Sequence, residues 1–556
     1  MVSSIALPNP STFSNHCTVP NRIRLFLILA ITVTFVVIVL PIVPLGITSR
    51  QPDGSAVVEW VWSRHASYSD IADFLDRILW PVFAAGCLIA VARMGFKRIS
   101  KHSTKSQIIS YGLLLIASGH WTLAVQQSAP SPHKELKPLW VLYDPGASGY
   151  FYEATFDIKD TNEFLKTYEA KMEEGDVLHV GTHPPGMFLL AKGCIELCRS
   201  VPSIQTIVES LTSNSSVEAF RYVEQNARLQ RSLTPVELAG LELLSLVTLM
   251  LATMTLIPLC LLANRFFSPT IAWMLCCLWP TIPTIAVFFP KSDVIFPLVS
   301  VLLLLLAVIA AQTTKKAFVI GMVAGSILLL TVCLSLAILP TVAAIGVFLI
   351  FQILKNPKQN LAPATTLMAT VTVTVAALMI AIQTLFDCNL VVVFQHNLTN
   401  HAGFYQQFQR TYWKWLLVNP TELAFAVGLP IAGFAAMSVI RFIIKPRQHQ
   451  TVCGEQEPDV QPPTPQSTTF NRQVHSMSAA IVITILLLWL SGKNNGEAAR
   501  LWCFMTPWVL LLSGASIQQL CKSIPPTQTS KVFTGLLICQ LLLCYATVSR
   551  VNGFSF

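Results

Sequence analysis

Hydrophobic runs recur along this chain, near 25–47, 78–94, 108–126, 239–263, 271–289, 294–313, 317–335, 337–354, 365–385, 420–440, 477–492, 501–519 and 531–548. A run of about 20 apolar residues crosses the hydrocarbon core of a bilayer as a helix. No water is available there for backbone N–H and C=O groups, so irregular or open-sheet alternatives are excluded. The balance of residues agrees: 53% are hydrophobic and only 12% charged, with mean hydropathy +0.59, against about 25% charged in soluble domains. The predicted fold is all-α, a polytopic membrane protein with about 13 transmembrane helices. The first run, preceded by Arg22 and Arg24, is longer than a signal-peptide core and reads as a retained helix.

Lysine and arginine indicate how the chain is threaded. With the N-terminus cytoplasmic, the short inner loops receive Arg93, Lys97, Arg98, Lys101 and Lys105, then Lys315 and Lys316, Lys355 and Lys358, Arg441, Lys445 and Arg447, and Lys522. This is the segregation that positive charge imposes on membrane insertion. It also explains the net charge of +9 without nucleic acid. The 14 cysteines are scattered, mostly in apolar runs, with no CxxC, and read as small packing residues.

Three regions follow from this path: N-terminal membrane helices over 1–126, a large outer segment over 127–238, and a helical bundle over 239–556. The bundle carries outer loops at 386–419 and 493–500 and a Pro-, Gln- and Thr-rich inner stretch at 446–475 that reads as disordered. Within the outer segment, Gly186–Cys198 is apolar on one side, with Lys192 and Glu196 at i,i+4. It is expected to lie in the interface, since a span there would put the later basic clusters outside.

The polar constellations gather on the non-cytoplasmic face. Asp144 opens Asp-Pro-Gly-Ala-Ser-Gly just beyond the third span, with Tyr150, Glu153 and Asp157 following. A carboxylate on such a turn either takes a proton from an acceptor hydroxyl or only shapes the turn. His183-Pro184-Pro185-Gly186 is a stiff entry to the interfacial helix, suited to an anion or simply to starting the helix. Lys291 and Asp293 stand at a membrane boundary, as a site or as an anchor. Arg500 enters the next span three residues after Glu497, which makes it a phosphate fork or half of an ion pair. His396 and His401, without a nearby acid or thiol, point to substrate hydrogen bonds rather than metal.

In order and spacing these motifs resemble the GT-C membrane glycosyltransferases. These include the protein O-mannosyltransferases and the enzymes that move aminoarabinose from polyprenyl phosphate. The resemblance rests on Asp144, Gly175-Asp176, His183-Pro184-Pro185-Gly186 and Asp293. It implies a polyprenyl-phosphate sugar donor whose tail lies between helices, and a lipid, glycan or protein acceptor. It implies inverting transfer at the outer face of the plasma (inner) membrane, in the service of the cell envelope. Asp144 would be the base, and Asp293 the second loop carboxylate. His183, Lys291 and Arg500 would hold phosphate, with Tyr150, His396 and Glu497 beside the substrate. No cofactor is implied, and a divalent cation is neither required nor excluded. The chain departs from the family in two places. The large loop follows the third apolar segment instead of the first, and Pro145 stands where many members carry a second acid, leaving Glu153 or Asp157 for that role. No GxGxxG or Walker sequence occurs in an inner loop, which argues against a soluble nucleotide donor. The competing class is a transporter or lipid-linked sugar flippase, which would place ionisable groups in mid-membrane.

The threading makes a direct prediction. Single cysteines at 160, 403 and 460, on a background without reactive thiols, should label with an impermeant maleimide in intact cells at 160 and 403 only. Labelling at 460 but not at 160 would invert the path.

Overall fold

The computed structural model describes the chain apart from residues 1–10, 51–55, 100–102, 178–180, 227–231, 445–464 and 555–556. Twelve of the thirteen apolar segments fall essentially in helices, and the first, 25–47, is helical to Val39 before it leads into the strand Gly46–Arg50. Among the described residues, eleven helices are long and apolar enough to cross a membrane. The pair Tyr412–Val427 and Leu429–Ile444, bent by 118° to one another, makes a twelfth where the two together are counted as one broken span. The bend falls at Gly428, whose φ of 89° is left-handed, where a side chain would run into Gln540. The Gln540 amide donates to the Val427 carbonyl (3.0 Å) that the break exposes. The remaining segment is the helix Thr506–Lys522, only 17 residues long. Thirteen expected spans thus become eleven, or twelve with the bent pair. The difference comes from breaks in backbone helicity, which hydropathy does not register.

Polar side chains within the spans are mostly satisfied by their own helix. Ser118 donates to Leu114 (2.6 Å), Thr122 to Ser118 (3.0 Å) and Thr248 to Leu244 (2.9 Å). Hydroxyls can therefore sit in apolar surroundings without an unpaired donor.

Contacts between distant segments sort the loops onto two faces, and the sorting matches the alternating path. On one face Arg64 pairs with Val551 in a two-stranded ladder, Lys291 donates to the Ala147 carbonyl, and the Tyr412 hydroxyl donates to Leu490 (2.8 Å). On the other, Trp273 donates to Ala92 (2.9 Å), Asn264 to the Tyr111 hydroxyl (3.2 Å), and Arg441 to Gln519 (2.7 Å). Each pair joins segment ends that the path puts on the same side. Besides that ladder, the described strands form one antiparallel hairpin, Gly46–Arg50 with Ala56–Val61.

The segment 127–238 carries helices beyond the interfacial one expected. Among the described residues it holds seven, His133–Tyr143, Tyr150–Phe156, Thr161–Lys166, Tyr168–Glu173, Gly186–Ser200, Pro202–Leu211 and Asn214–Asn226. They close over an aromatic core that includes Trp140, Tyr143, Tyr150, Phe151, Tyr168, Phe188 and Phe220. Charged residues hide that core from a composition window, because the aromatics are spread over several short amphipathic helices. Gly186–Ser200 has 15 residues, about 22 Å at 1.5 Å per residue, too short for a hydrocarbon core of about 30 Å. It buries Met187, Phe188, Ala191, Cys194, Ile195 and Cys198 and packs on the span beginning at Pro235. Gly240 there lies so close that a Cβ would stand 2.9 Å from the Ile195 Cα. The Lys192–Glu196 pair forms at 3.6 Å. That following span starts with a capping box between Thr234 and Glu237, with Pro235 in its first turn.

The stretch expected to be disordered differs in part. The helix Pro465–Leu490 already begins inside it, because Pro465 is compatible with a helix start. The remainder, 445–464, lies outside the described residues.

Candidate functional site

The site forms where three parts of the chain meet on the first face. The helix His133–Tyr143 ends at Asp144, whose backbone turns extended (ψ 124°). The Asp144 carbonyl then accepts from Ala147 (3.0 Å), Ser148 (2.8 Å) and Gly149 (2.9 Å), and Gly149 supplies the left-handed φ of 70° that launches the next helix at Tyr150. Asp144 is half-buried. Burial raises its pKa, while backbone N–H groups of Ala147 and Gly146 and the charge of Lys291 pull the other way. A carboxylate held in this way shapes the turn and remains a proton acceptor.

Lys291 is the second part. Its side chain is buried, and its ammonium donates to the Ala147 carbonyl, 5.7 Å from the centre of the Tyr150 ring. Burial, reinforced by Arg500, lowers its pKa to about 7, and Asp293, Glu497 and Asp144 oppose that shift. Asp293 is half-buried in the 3₁₀ turn Ser292–Ile295. It acts electrostatically on Lys291, Tyr150 and Arg500.

The third part is the short helix Ala498–Leu501, with Glu497 at its N-cap position in a left-handed conformation (φ 58°). Arg500 there makes an ion pair with Glu497 at 2.5 Å. Burial acts against its charge, but Glu497 and Asp293 outweigh burial and raise its pKa. Its Nε is buried without a hydrogen-bond partner among the described residues. The Arg410 Nε shares that property, and a donor in this state is open to a water or a ligand.

Tyr150 and His183 wall this cluster. The Tyr150 ring, fully buried, meets His183 and Phe188 edge-on, each at 5.4 Å between centroids. The His183 carbonyl accepts from the Tyr168 hydroxyl (2.8 Å), and its Nδ1 lies 3.1 Å from the Thr182 hydroxyl. The chain thus brings together Asp144, Tyr150, His183, Lys291, Asp293, Glu497 and Arg500. It sets Glu153 apart, paired with Lys171 and beside Asp157. His396 is half-buried on the helix Leu390–Gln407, and no hydrogen bond, ion pair or ring contact joins it to the cluster among the described residues. His179, in the run before His183, lies outside the described residues.

Sequence reasoning passed over several residues that hold this arrangement. Asn397 and Asn400, buried on one face of Leu390–Gln407, donate to the Gly181 carbonyl at 3.0 and 2.9 Å, and Asn397 also to His183 (3.3 Å). Two buried asparagines at i,i+3 were the available signal. Among the described residues, no group of three or more His, Cys, Asp or Glu is placed to hold a metal ion. As built, the site can accept a proton at Asp144 and neutralise an anion between Lys291 and Arg500.

No family model matches the chain, and no curated protein does. Among solved structures, it superposes on the crystal structure of the Archaeoglobus fulgidus oligosaccharyltransferase complex with Zn and sulfate. The TM-score is 0.43 at 13% identity, covering 79% of this chain and 53% of that one. The chain therefore spans about half the length of that structure. A superposition this loose identifies neither a family nor an activity.

The depressed pKa of Lys291 gives the site a pH dependence with a definite sign. A lysine at about 7 is charged below that pH and neutral above it, so anion binding should be strongest below pH 7. It should then fall by up to about tenfold per pH unit as Lys291 loses its proton. An alkyl sulfate, whose own charge is fixed, is a suitable probe for equilibrium binding between pH 6 and 9. Lys291→Arg should flatten the profile, and a flat profile in the unaltered protein would remove Lys291 from the site.

Proposed function

We propose that this chain is a membrane glycosyltransferase that moves a sugar from a polyprenyl-phosphate donor to an acceptor hydroxyl on the non-cytoplasmic face. The observation that carries this reading is the convergence of one proton acceptor, Asp144, with two cations, Lys291 and Arg500. They come from segments far apart in sequence, with Lys291 bonded to the Asp144 turn itself. The motif resemblance around Asp144, His183-Pro184-Pro185 and Asp293 points the same way.

In this mechanism the acceptor hydroxyl gives its proton to Asp144 while its oxygen bonds to the anomeric carbon. The bond from that carbon to the phosphate oxygen breaks on the opposite side, with inversion, and the electron pair leaves with the polyprenyl phosphate. Lys291 and Arg500 stabilise the charge that grows on the phosphate. Asp293 holds both cations electrostatically, and Tyr150 and His183 wall the sugar. Glu497, bound to Arg500 in this structure, yields the guanidinium to the phosphate.

Two sets of variants test the reading, with membranes supplied with a labelled polyprenyl-phosphate sugar. Asp144→Asn should insert normally and lower transfer by about 10²–10⁴-fold, the usual worth of a general base. Near-normal turnover would leave Asp144 as a turn former, and absence of sugar release in the unaltered protein would favour a transporter. Arg500→Lys should weaken donor binding by about 1.5–3 kcal/mol, because the charge stays but the two-pronged fork is lost. If Arg500 serves only Glu497, Arg500→Lys will be mild, and Arg500→Gln with Glu497→Gln will be milder than Arg500→Gln alone.

A further inference from the structure

The loop that carries Arg500 is held in a costly shape. Gly492 (φ 66°), Asn494 (φ 62°), Gly496 (φ 82°) and Glu497 (φ 58°) are all left-handed. Glycine adopts that region freely, but glutamate does so at a cost, so something outside the loop must hold it. The first turn of the helix Ala498–Leu501 also lacks its usual cap. Glu497 occupies the N-cap position but makes no side-chain cap bond, and its carboxylate is on Arg500 instead.

The missing cap comes from another helix. Glu422, on Tyr412–Val427 and 8% exposed, accepts the Ala499 N–H at Oε1 (3.1 Å). From the opposite side, the Thr284 hydroxyl donates to the Ala499 carbonyl (2.5 Å). The peptide units around Ala499, itself fully buried, are thus gripped by two helices. Arg500 follows immediately in the chain. An acid is an expensive way to fill an apolar helix interface; an acceptor for the Ala499 N–H is a reason to keep one.

We infer that Glu422 is a positioning residue for Arg500: it caps the Ala498–Leu501 turn from outside, which releases Glu497 to pair with Arg500 and aims the guanidinium at the site. This rests on the reading of Arg500 as the phosphate fork, but its structural part can be tested without it.

The test uses the full chain in lipid nanodiscs, with the variants Glu422→Leu, Glu422→Gln and Thr284→Val. Glutamine keeps a carbonyl acceptor for the Ala499 N–H, leucine removes it, and valine removes the donor on the other side. Hydrogen exchange at Ala498 and Ala499 should be faster by roughly tenfold in Glu422→Leu, near normal in Glu422→Gln, and faster in Thr284→Val. Binding of sugar-free polyprenyl phosphate should follow the same order. In turnover the donor KM should rise in Glu422→Leu, with kcat little changed. Normal exchange in Glu422→Leu, or a Glu422→Gln variant as impaired as Glu422→Leu, overturns the inference. If Glu422→Leu does not insert, the contrast between Glu422→Gln and Thr284→Val decides it. If the unaltered protein binds no polyprenyl phosphate, the functional reading falls while the exchange measurement still decides the role of Glu422.

Discussion

The arrangement of the outer face depends on one buried ammonium. Lys291 lies between two spans, hidden from solvent, and among the described residues its ammonium has only the Ala147 carbonyl as a direct hydrogen-bond partner. An unneutralised charge in such a place is unfavourable. It is tolerated because Asp293, Glu497 and Asp144 surround it with negative potential. The same requirement fixes the geometry of those acids, since each comes from a different stretch of chain and must stand close enough to offset Lys291. Lys291, Arg500 and the acids around them are thus balanced against one another within the protein.

A second buried charge secures the wall of the site. Glu59, on the outer hairpin and 6% exposed, accepts from the Ser49 hydroxyl, from Thr411 through N–H (2.8 Å) and hydroxyl (2.5 Å), and from the Trp415 indole (2.7 Å). Burial alone would raise its pKa; these donors outweigh it and hold the carboxyl at about 2. The Trp415 ring in turn lies against Gly496, as does the Arg410 guanidinium. The hairpin and the helix from Tyr412 are therefore linked through the Glu59 carboxylate and its donors, which resist displacement better than exposed pairs, and that helix meets the Glu497–Arg500 turn by contact at Gly496. Loops on the outer face behave here as a packed layer.

The sequence was informative where one dimension suffices. A run of about 20 apolar residues has a single stable answer in lipid, and the positions of Lys and Arg set a path that the contacts between distant segments reproduce. Asp144, Lys291, Asp293 and Arg500 stood out because charge beside apolar runs is rare. Glu422, Asn397 and Asn400 did not, because each looks like an ordinary polar residue on a helix. Only the partners, Ala499 for one and Gly181 for the others, give them a role. Glu153 shows the reverse: next to Tyr150 in sequence, it turns away to Lys171.

What the sequence determined by itself is the solvent and the alternating path: helices in lipid, basic loops gathered on one face and the other polar groups on the opposite one. These follow from local hydropathy and charge, which sum along the chain. Which acids and cations face one another was decided only by tertiary structure. Asp144, Lys291 and Arg500 are separated by long spans, and their approach depends on how helices bend at Gly428, pack at Gly240 and are capped across the interface at Ala499. Those are matters of close packing and hydrogen-bond matching between distant segments, for which no local window of sequence carries a signal.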